Sequence, residues 1–267
     1  MKSHIESNVE YSNVNRVNVL CTFWGTRYSK DLVNNLYRSV QLHLHREFNF
    51  YCCTDEIDGF DGGIKLINIP EVPIAIVKSK RRWPNVYLKL LLTKDGFGGL
   101  VGPTLVLDID LLITGDIDCF FDYRPSEFCI IQNWTPRRHE FANGRPNIGN
   151  SSVFRFDAGK SNFVAQTFLS EIDDALDDSK FNTEQAFLTY AMRRVVWWPD
   201  SWVRSWKRHC RPVFPLNLIL QPQFPGDCRM LVFHGSPDID EAIEGYNGKR
   251  LHHRSRPAPW LRQYYLG

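Results

Sequence analysis

The sequence predicts one α/β domain with a mixed, mostly parallel central sheet flanked by helices. Three observations predict it. The first third alternates an apolar β-branched run, a segment of helical period and a second apolar run, which is the pattern of a βαβ unit. Near the middle, Leu105-Val106-Leu107-Asp108-Ile109-Asp110-Leu111-Leu112-Ile113 reads as a strand covered on both faces, interrupted by two carboxylates. Late in the chain, Leu231-Val232-Phe233-His234-Gly235 is again a short apolar strand, ending in a ligand-type residue and a turn. With 267 residues, 43% of them hydrophobic, the chain can bury a real core within one large domain.

In order, residues 1–15 are polar and expected to be a flexible N-terminus, with the domain proper over 16–244. Residues 17–23 form the first strand, ending at Trp24-Gly25-Thr26-Arg27-Tyr28-Ser29. Ser29 is a candidate N-cap with Asp31 in the first turn, and Leu32, Val33, Leu36, Tyr37 and Val40 then recur at helical spacing. Strands follow at 48–54 and 64–69, separated by the breakers Gly59, Gly62 and Gly63. Neither a Gly-x-Gly-x-x-Gly nor a P-loop motif follows the first strand, so any nucleotide bound here is held in another way. Lys78, Lys80, Arg81 and Arg82 precede Trp83-Pro84, either as a solvated face or as cations facing a diphosphate. Residues 86–92 continue as a helix in which Lys89 stands out.

The aspartate pair needs a reason to be there, because unpaired carboxylates inside a two-sided strand cost on the order of several kcal/mol. Glycines 98, 99 and 102 precede the run and Thr114-Gly115-Asp116-Ile117-Asp118 follows it, so the pair sits where strand meets loop. Alternation puts Asp108 and Asp110 on one side, roughly 6.6 Å apart at Cα. Two such carboxylates can converge on one hard divalent cation, leaving positions for phosphate oxygen or water. The carboxyl end of a strand is also where open α/β sheets bind ligands. The plainer alternative is a pair that caps the next turn or meets an arginine.

Residues 128–132 form another strand, a polar loop runs from Trp134 to Asn147, and 150–156 is an antiparallel addition to the sheet. Residues 163–176 are helical, and a further helix starts over 182–188, capped by Asn182 or Thr183. The tryptophan-rich stretch 197–207 is too irregular for a single element; its rings either stack on sugars or bases or form local core. Residues 245–267 are a basic, aromatic C-terminal tail with Lys249, Arg250, Arg254, Arg256, Arg262 and no acid, suited to an anionic membrane surface or to a solvated terminus.

Thirty-two basic against 30 acidic side chains leave a net charge of +2, which speaks against a dedicated nucleic-acid protein. The seven cysteines are odd in number and scattered, and Cys52-Cys53 has no Cys-x-x-Cys partner, which favours reduced thiols over a disulfide scaffold or structural zinc. With no membrane-length apolar stretch and no signal-peptide core at the polar start, the expected location is cytoplasmic, any membrane association being left to the basic tail.

Taken together, Thr22 to Ser29, Asp108-Ile109-Asp110, Gly115-Asp116-Ile117-Asp118, Asn150-Ser151-Ser152-Val153, Asn182-Thr183-Glu184-Gln185 and Phe233-His234-Gly235 occur in an order that resembles the GT-A glycosyltransferases. The chain is most similar to the branch containing glycogenin and the bacterial lipopolysaccharide galactosyltransferases, over residues 17–237. The resemblance implies a GT-A domain in which Asp108, Asp110 and His234 coordinate Mn²⁺ (or Mg²⁺) bridging the diphosphate of a nucleotide-sugar donor, UDP-linked. It nominates Thr22, Trp24, Gly25 and Tyr28 for the nucleobase and ribose, Tyr28 by stacking or by ordinary packing, and Arg81, Lys89 and Asp108 for the rest of the donor. It places Gln185, Glu184 and Asp110 at the reacting sugar, Glu184-Gln185 standing where the family has Asp-Gln. The family follows its histidine with Gly, Lys and Pro-Trp, whereas His234-Gly235-Ser236-Pro237 lacks the lysine, leaving Lys207, Arg204 or Arg250 to meet the leaving phosphate.

The implied activity is transfer of a sugar to a hydroxyl of a saccharide or other acceptor, with retention favoured through the branch alone. Two alternatives remain. One is a haloacid-dehalogenase-type phosphatase or phosphotransferase, although that family's Asp-x-Asp lies near the N-terminus and continues with a small residue and Thr rather than Leu111-Leu112. The other is a nucleotide-sugar- or glycan-binding protein without turnover.

Overall fold

The computed structural model describes residues 16–134 and 147–266. The expected flexible 1–15 segment and all but the ends of the loop expected from Trp134 to Asn147 lie outside the described residues. The strands, in chain order, are β1 (Val17–Phe23), β2 (Phe48–Thr54), β3 (Ile64–Asn68), β4 (Gly102–Leu107) and β5 (Leu111–Ile113). They continue with β6 (Cys129–Gln132), β7 (Gly149–Ala158), β8 (Val196–Trp197), β9 (Val203–Ser205) and β10 (Met230–Val232).

A seven-stranded sheet runs β3-β2-β1-β4-β7-β6-β8. β1 pairs in parallel with both β2 and β4, β2 with β3, and β6 with β8, while β7 is antiparallel to β4 and β6. This is the mixed, mostly parallel sheet expected. β1 and β4 are central and bury the continuous apolar runs that mark two-sided strands. The helix Asp31–His43 crosses between β1 and β2 with Val33, Leu36 and Val40 laid on the sheet; its N-cap is Lys30 rather than the expected Ser29, whose Oγ accepts from the Asp31 N–H at 3.2 Å in the turn before it.

The run around the aspartates is not one strand. β4 ends at Leu107, and β5 resumes at Leu111 in a second, three-stranded sheet, β5-β10-β9. Burying two carboxylates between the covered faces of one sheet is prohibitive, so the chain leaves the first sheet at Asp108 and enters the second after Asp110. Other expectations change locally. Residues 86–92 lie in a 3₁₀ helix, Pro84–Thr93, and the helix expected over 163–176 divides into Asn162–Ser170 and Ile172–Ala175.

The tryptophan-rich stretch resolves into β8, β9 and the turn Trp206–Cys210. Trp198 and Trp206 are buried, and Phe120 meets the rings of Trp198 and Trp202 edge-on at 4.8 and 5.3 Å, so these rings build core. The C-terminal stretch packs on the helix Ile239–Glu244: Ala258 N–H donates to Ala242 O at 3.0 Å, and Leu261 is buried. Its end is tied to the first helix by Leu266 N–H donating to Asn35 Oδ1 at 2.8 Å. All seven cysteines are unpaired. Among the described residues no helix is long and apolar enough to cross a membrane.

Arg155, on β7 and 1% exposed, donates to the carbonyls of Phe120, Phe121, Arg124 and Glu127 and so clamps the segment between β5 and β6 onto the sheet. Arg155→Leu removes the donors and leaves those carbonyls dry. The expected loss is about 3 kcal/mol in urea unfolding; a loss below about 0.5 kcal/mol would contradict the clamp.

Candidate active site

Asp108 follows the last residue of β4, and its N–H still donates to Ser152 O at 2.8 Å, so the first carboxylate leaves the sheet from an extended backbone. Beyond it, β5 pairs antiparallel with β10, Leu111 opposite Val232, and Phe233 N–H donates to Asp110 O at 2.9 Å. That ladder sets the backbone of His234 directly after a residue bonded to Asp110, although the two lie more than a hundred positions apart in the chain. The register of the second sheet thus brings the aspartate pair and the histidine to one place.

The electrostatics there are tight. Lys89 Nζ donates to Asp108 Oδ1, and Tyr28 Oη donates to Asp110 Oδ2 at 2.9 Å. Burial and the neighbouring Asp108 push the Asp110 carboxyl up to about 7, against the opposing pull of Tyr28, Lys89 and Arg27. Burial works against the Lys89 ammonium, but Asp108, Glu184 and Asp110 outweigh it and hold its pKa above the ordinary value. Burial and the charge of Asp110 raise the Tyr28 hydroxyl, which stays a neutral donor. Two carboxylates are crowded beyond what one lysine and one hydroxyl relieve, which is an environment that a divalent cation would neutralise.

His234 is the third residue of the expected ligand set. Its Nε2 lies 2.7 Å from Ser205 Oγ, and its ring stacks on Trp134 with centroids 6.0 Å apart. Burial, then Lys207 and Arg208, pull its pKa down to about 4, so the imidazole is neutral, the form that ligates. Oxygen ligands with one imidazole suit Mn²⁺ or Mg²⁺. A tighter cluster of ligating atoms exists among the described residues: His45, Asp116 and Asp118, within 4.8 Å of one another. His45 precedes β2, at the amino ends of the parallel strands and so away from Asp108, and Asp118 there already pairs with Arg46 at 2.6 Å.

Two cavities adjoin at Thr183, which lines both. One, of about 810 Å³, is lined by Trp24, Gly25, Tyr28, Arg81, Thr183 and Glu184 among others. The second, of about 1010 Å³, is lined by Thr183, Gln185, Asn150, Lys207 and His234 with a set of further cations. The start of the helix Glu184–Ala191 is therefore a partition, with Glu184 on one side and Gln185 on the other. Thr183 Oγ1 caps that helix by accepting from Ala186 N–H at 3.2 Å. Ser151 Oγ donates to Glu184 Oε1 at 2.5 Å, and burial raises the Glu184 carboxyl despite Lys89 and Ser151. Gln185 Oε1 is buried and has no hydrogen-bond partner among the described residues.

The remaining nominated residues separate. Thr22 lies in β1 opposite Cys53 and is not among the residues lining the first cavity. Tyr28 lines it, but the Arg27 guanidinium sits 4.6 Å from its ring centre. Arg81 also lines it, with its guanidinium engaged by the carbonyls of Ala175, Leu176, Phe181 and Asn182 and by Asp178 at 2.9 Å, so it braces the wall. Of the three cations left open for the missing lysine, Lys207 is the one beside His234, donating to its carbonyl oxygen. Arg204 faces Asp200 at 4.0 Å, and Arg250 lies on the wall of the second cavity. Ser205 was not nominated; only the β9–β10 pairing, absent from any local pattern, reveals it.

Comparison with solved structures decides the fold. The chain superposes on the galactosyltransferase LgtC, solved in complex with donor and acceptor sugar analogs, with a TM-score of 0.63 over 84% of this chain and 89% of that one, at 13% identity. The chain has the GT-A fold. An active-site mutant of LgtC, glutamine to glutamate, superposes over the same shares with a TM-score of 0.60 at 12% identity. The bifunctional glycosyltransferase WbbM, in its apo form, gives 0.57 at 10% identity over 86% of this chain and 48% of that one, so the chain spans about half of WbbM. No protein-family model and no curated protein matches the sequence.

Lys89→Met leaves Asp108 half-buried and unpaired beside Asp110 and Glu184. It is expected to destabilise the fold by about 3 kcal/mol in urea, and adding Asp108→Asn to recover part of the loss. Additive losses in the double variant would show that the two side chains do not act as a pair.

Proposed function

We propose that this chain is a metal-dependent glycosyltransferase that moves a sugar from a nucleotide-diphosphate donor, a UDP-sugar, to a hydroxyl of a saccharide acceptor. One observation carries the reading: on a GT-A fold, the β5–β10 register bonds Phe233, the residue before His234, to the backbone of Asp110, the second member of the aspartate pair. Its solved neighbour LgtC is a galactosyltransferase captured with donor and acceptor analogs, which supports the same pair of co-substrates here.

In the reaction the bond from the anomeric carbon to the diphosphate breaks, a glycosidic bond to the acceptor oxygen forms, and the hydroxyl proton ends on the released nucleoside diphosphate. Asp108, Asp110 and His234 would hold Mn²⁺ or Mg²⁺, which supplies charge neutralisation for the departing diphosphate. The chain's own groups divide the remaining work. Trp24, Gly25 and Tyr28 wall the cavity assigned to nucleobase and ribose, and Arg81 keeps that wall in shape. Lys207, beside His234, provides the cation that the C-terminal motif lacks.

Gln185, with its unpartnered oxygen at the partition, is assigned to accept from a hydroxyl of the transferred sugar; LgtC likewise has a glutamine in its active site, the one replaced in its glutamate mutant. Glu184 is assigned to the donor side, fixed by Ser151. Retention is the outcome we assign, following the family branch that the sequence resembles. Unpaired thiols fit a reducing compartment, and we place the protein in the cytoplasm.

The test is UDP release from a set of UDP-hexoses with Mn²⁺. Native protein is expected to release UDP from at least one, and EDTA or Asp110→Asn to abolish release. Gln185→Ala is expected to cut turnover about a hundredfold while UDP affinity stays within about twofold. No release from any UDP- or GDP-sugar, with or without saccharide acceptors, would overturn the proposal.

A further inference from the structure

The second cavity carries a charge pattern that the transfer reaction itself does not require. Its lining includes Lys207, Arg208, Arg211, Lys249 and Arg250 and, among the described residues, no acidic one. None of the five pairs with a carboxylate among the described residues. Arg211 is held below the ordinary guanidinium range by burial and by the charge of Arg208. Cations gathered without counter-charge repel one another and draw anions into the cleft between them.

The wall is built rather than incidental. Tyr246 and Ser255 exchange backbone hydrogen bonds, each 2.9 Å, closing the loop that carries Lys249 and Arg250. Buried Asn217 donates to the carbonyls of Leu251 and Arg254 at 2.9 and 2.8 Å, and Arg211 donates to His253 O at 3.0 Å. The loop is thereby fixed to the segment that bears Arg208 and Arg211, and the two cationic arms face one space. These anchors use backbone carbonyls, so the side chains of Lys249 and Arg250 stay exposed.

A donor diphosphate at the aspartate pair already has Lys89 and Lys207 beside it, in addition to any metal. Arg208, Arg211, Lys249 and Arg250 are left over, on the Gln185 side of the partition, away from the cavity assigned to the nucleoside. A neutral sugar has no use for them. We propose that the acceptor is an anionic saccharide, bearing phosphate or carboxylate groups, gripped by Arg208, Arg211, Lys249 and Arg250. What the cavity does rests on the glycosyltransferase reading; what it binds rests on the cations alone.

The experiment titrates lactose, its phosphate monoester and its uronic acid into protein saturated with UDP and Mn²⁺, followed by calorimetry. The charged sugars are expected to bind at least about tenfold tighter than lactose, with the advantage shrinking as NaCl is raised to about 0.5 M. Lys249→Ala/Arg250→Ala and, from the other arm, Arg208→Gln are expected to remove that advantage while UDP affinity and melting temperature hold. The stronger of the two charged sugars names the anionic group. Equal affinity for neutral and charged sugars, or no saccharide binding at all, overturns the proposal. So does a loss of UDP affinity in step with sugar affinity, which would give the cations to the donor. If native protein binds no UDP, the glycosyltransferase reading fails, and titration without nucleotide decides the cavity separately: charged-sugar preference sustains the anion site, and its absence ends it.

Discussion

The structure depends on where two carboxylates can be put. Asp108 and Asp110 interrupt the most apolar stretch of the chain, and neither sheet interior would tolerate them. The chain solves this by ending β4 before the first and starting β5 after the second, so that the pair lies at the junction of two sheets. Everything else at the site follows from that junction. Lys89 bonds the first carboxylate and Tyr28 the second, and the short second sheet ties Phe233, the residue before His234, to the Asp110 backbone. Even so, burial and Asp108 hold the Asp110 carboxyl up to about 7. Asp110 is under-compensated as it stands, which is the environment that the proposed cation would relieve.

Much of this was legible in the sequence because the signals are local. β1 and β2 begin and end where the apolar runs do, and the first helix starts one residue past its expected cap, with its N-cap at Lys30. The antiparallel β7 and the Thr183-capped helix were also legible from alternation and capping chemistry. Periodicity failed where tertiary cost overrode it: Leu105 to Ile113 has the composition of one strand, but two carboxylates divide it. The tryptophan-rich stretch gave no period because it is three short elements, assembled by burial of Trp198 and Trp206.

The site was legible in its residue types and not in its pairings. Asp108, Asp110 and His234 could be nominated from the ends of apolar runs, whereas Ser205 became visible only through the β9–β10 register. Arg81 illustrates the limit in the other direction. A cation next to an aromatic looks like a phosphate contact in sequence, yet its guanidinium is engaged by four backbone carbonyls and Asp178. Charge in a sequence says nothing about whether the fold leaves it unpaired. Lys249 and Arg250 show the converse, since a stretch that looked like a solvated tail turns out to wall the second cavity.

The central claim is that the aspartate pair, with a divalent cation, is the seat of a nucleoside diphosphate. Calorimetric titration of UDP into the native protein and Asp110→Ala, each with and without Mn²⁺, tests it most directly. The account predicts binding by the native protein that requires Mn²⁺ and disappears in the variant. Binding that is equal with and without Mn²⁺, or that survives in Asp110→Ala, would contradict it.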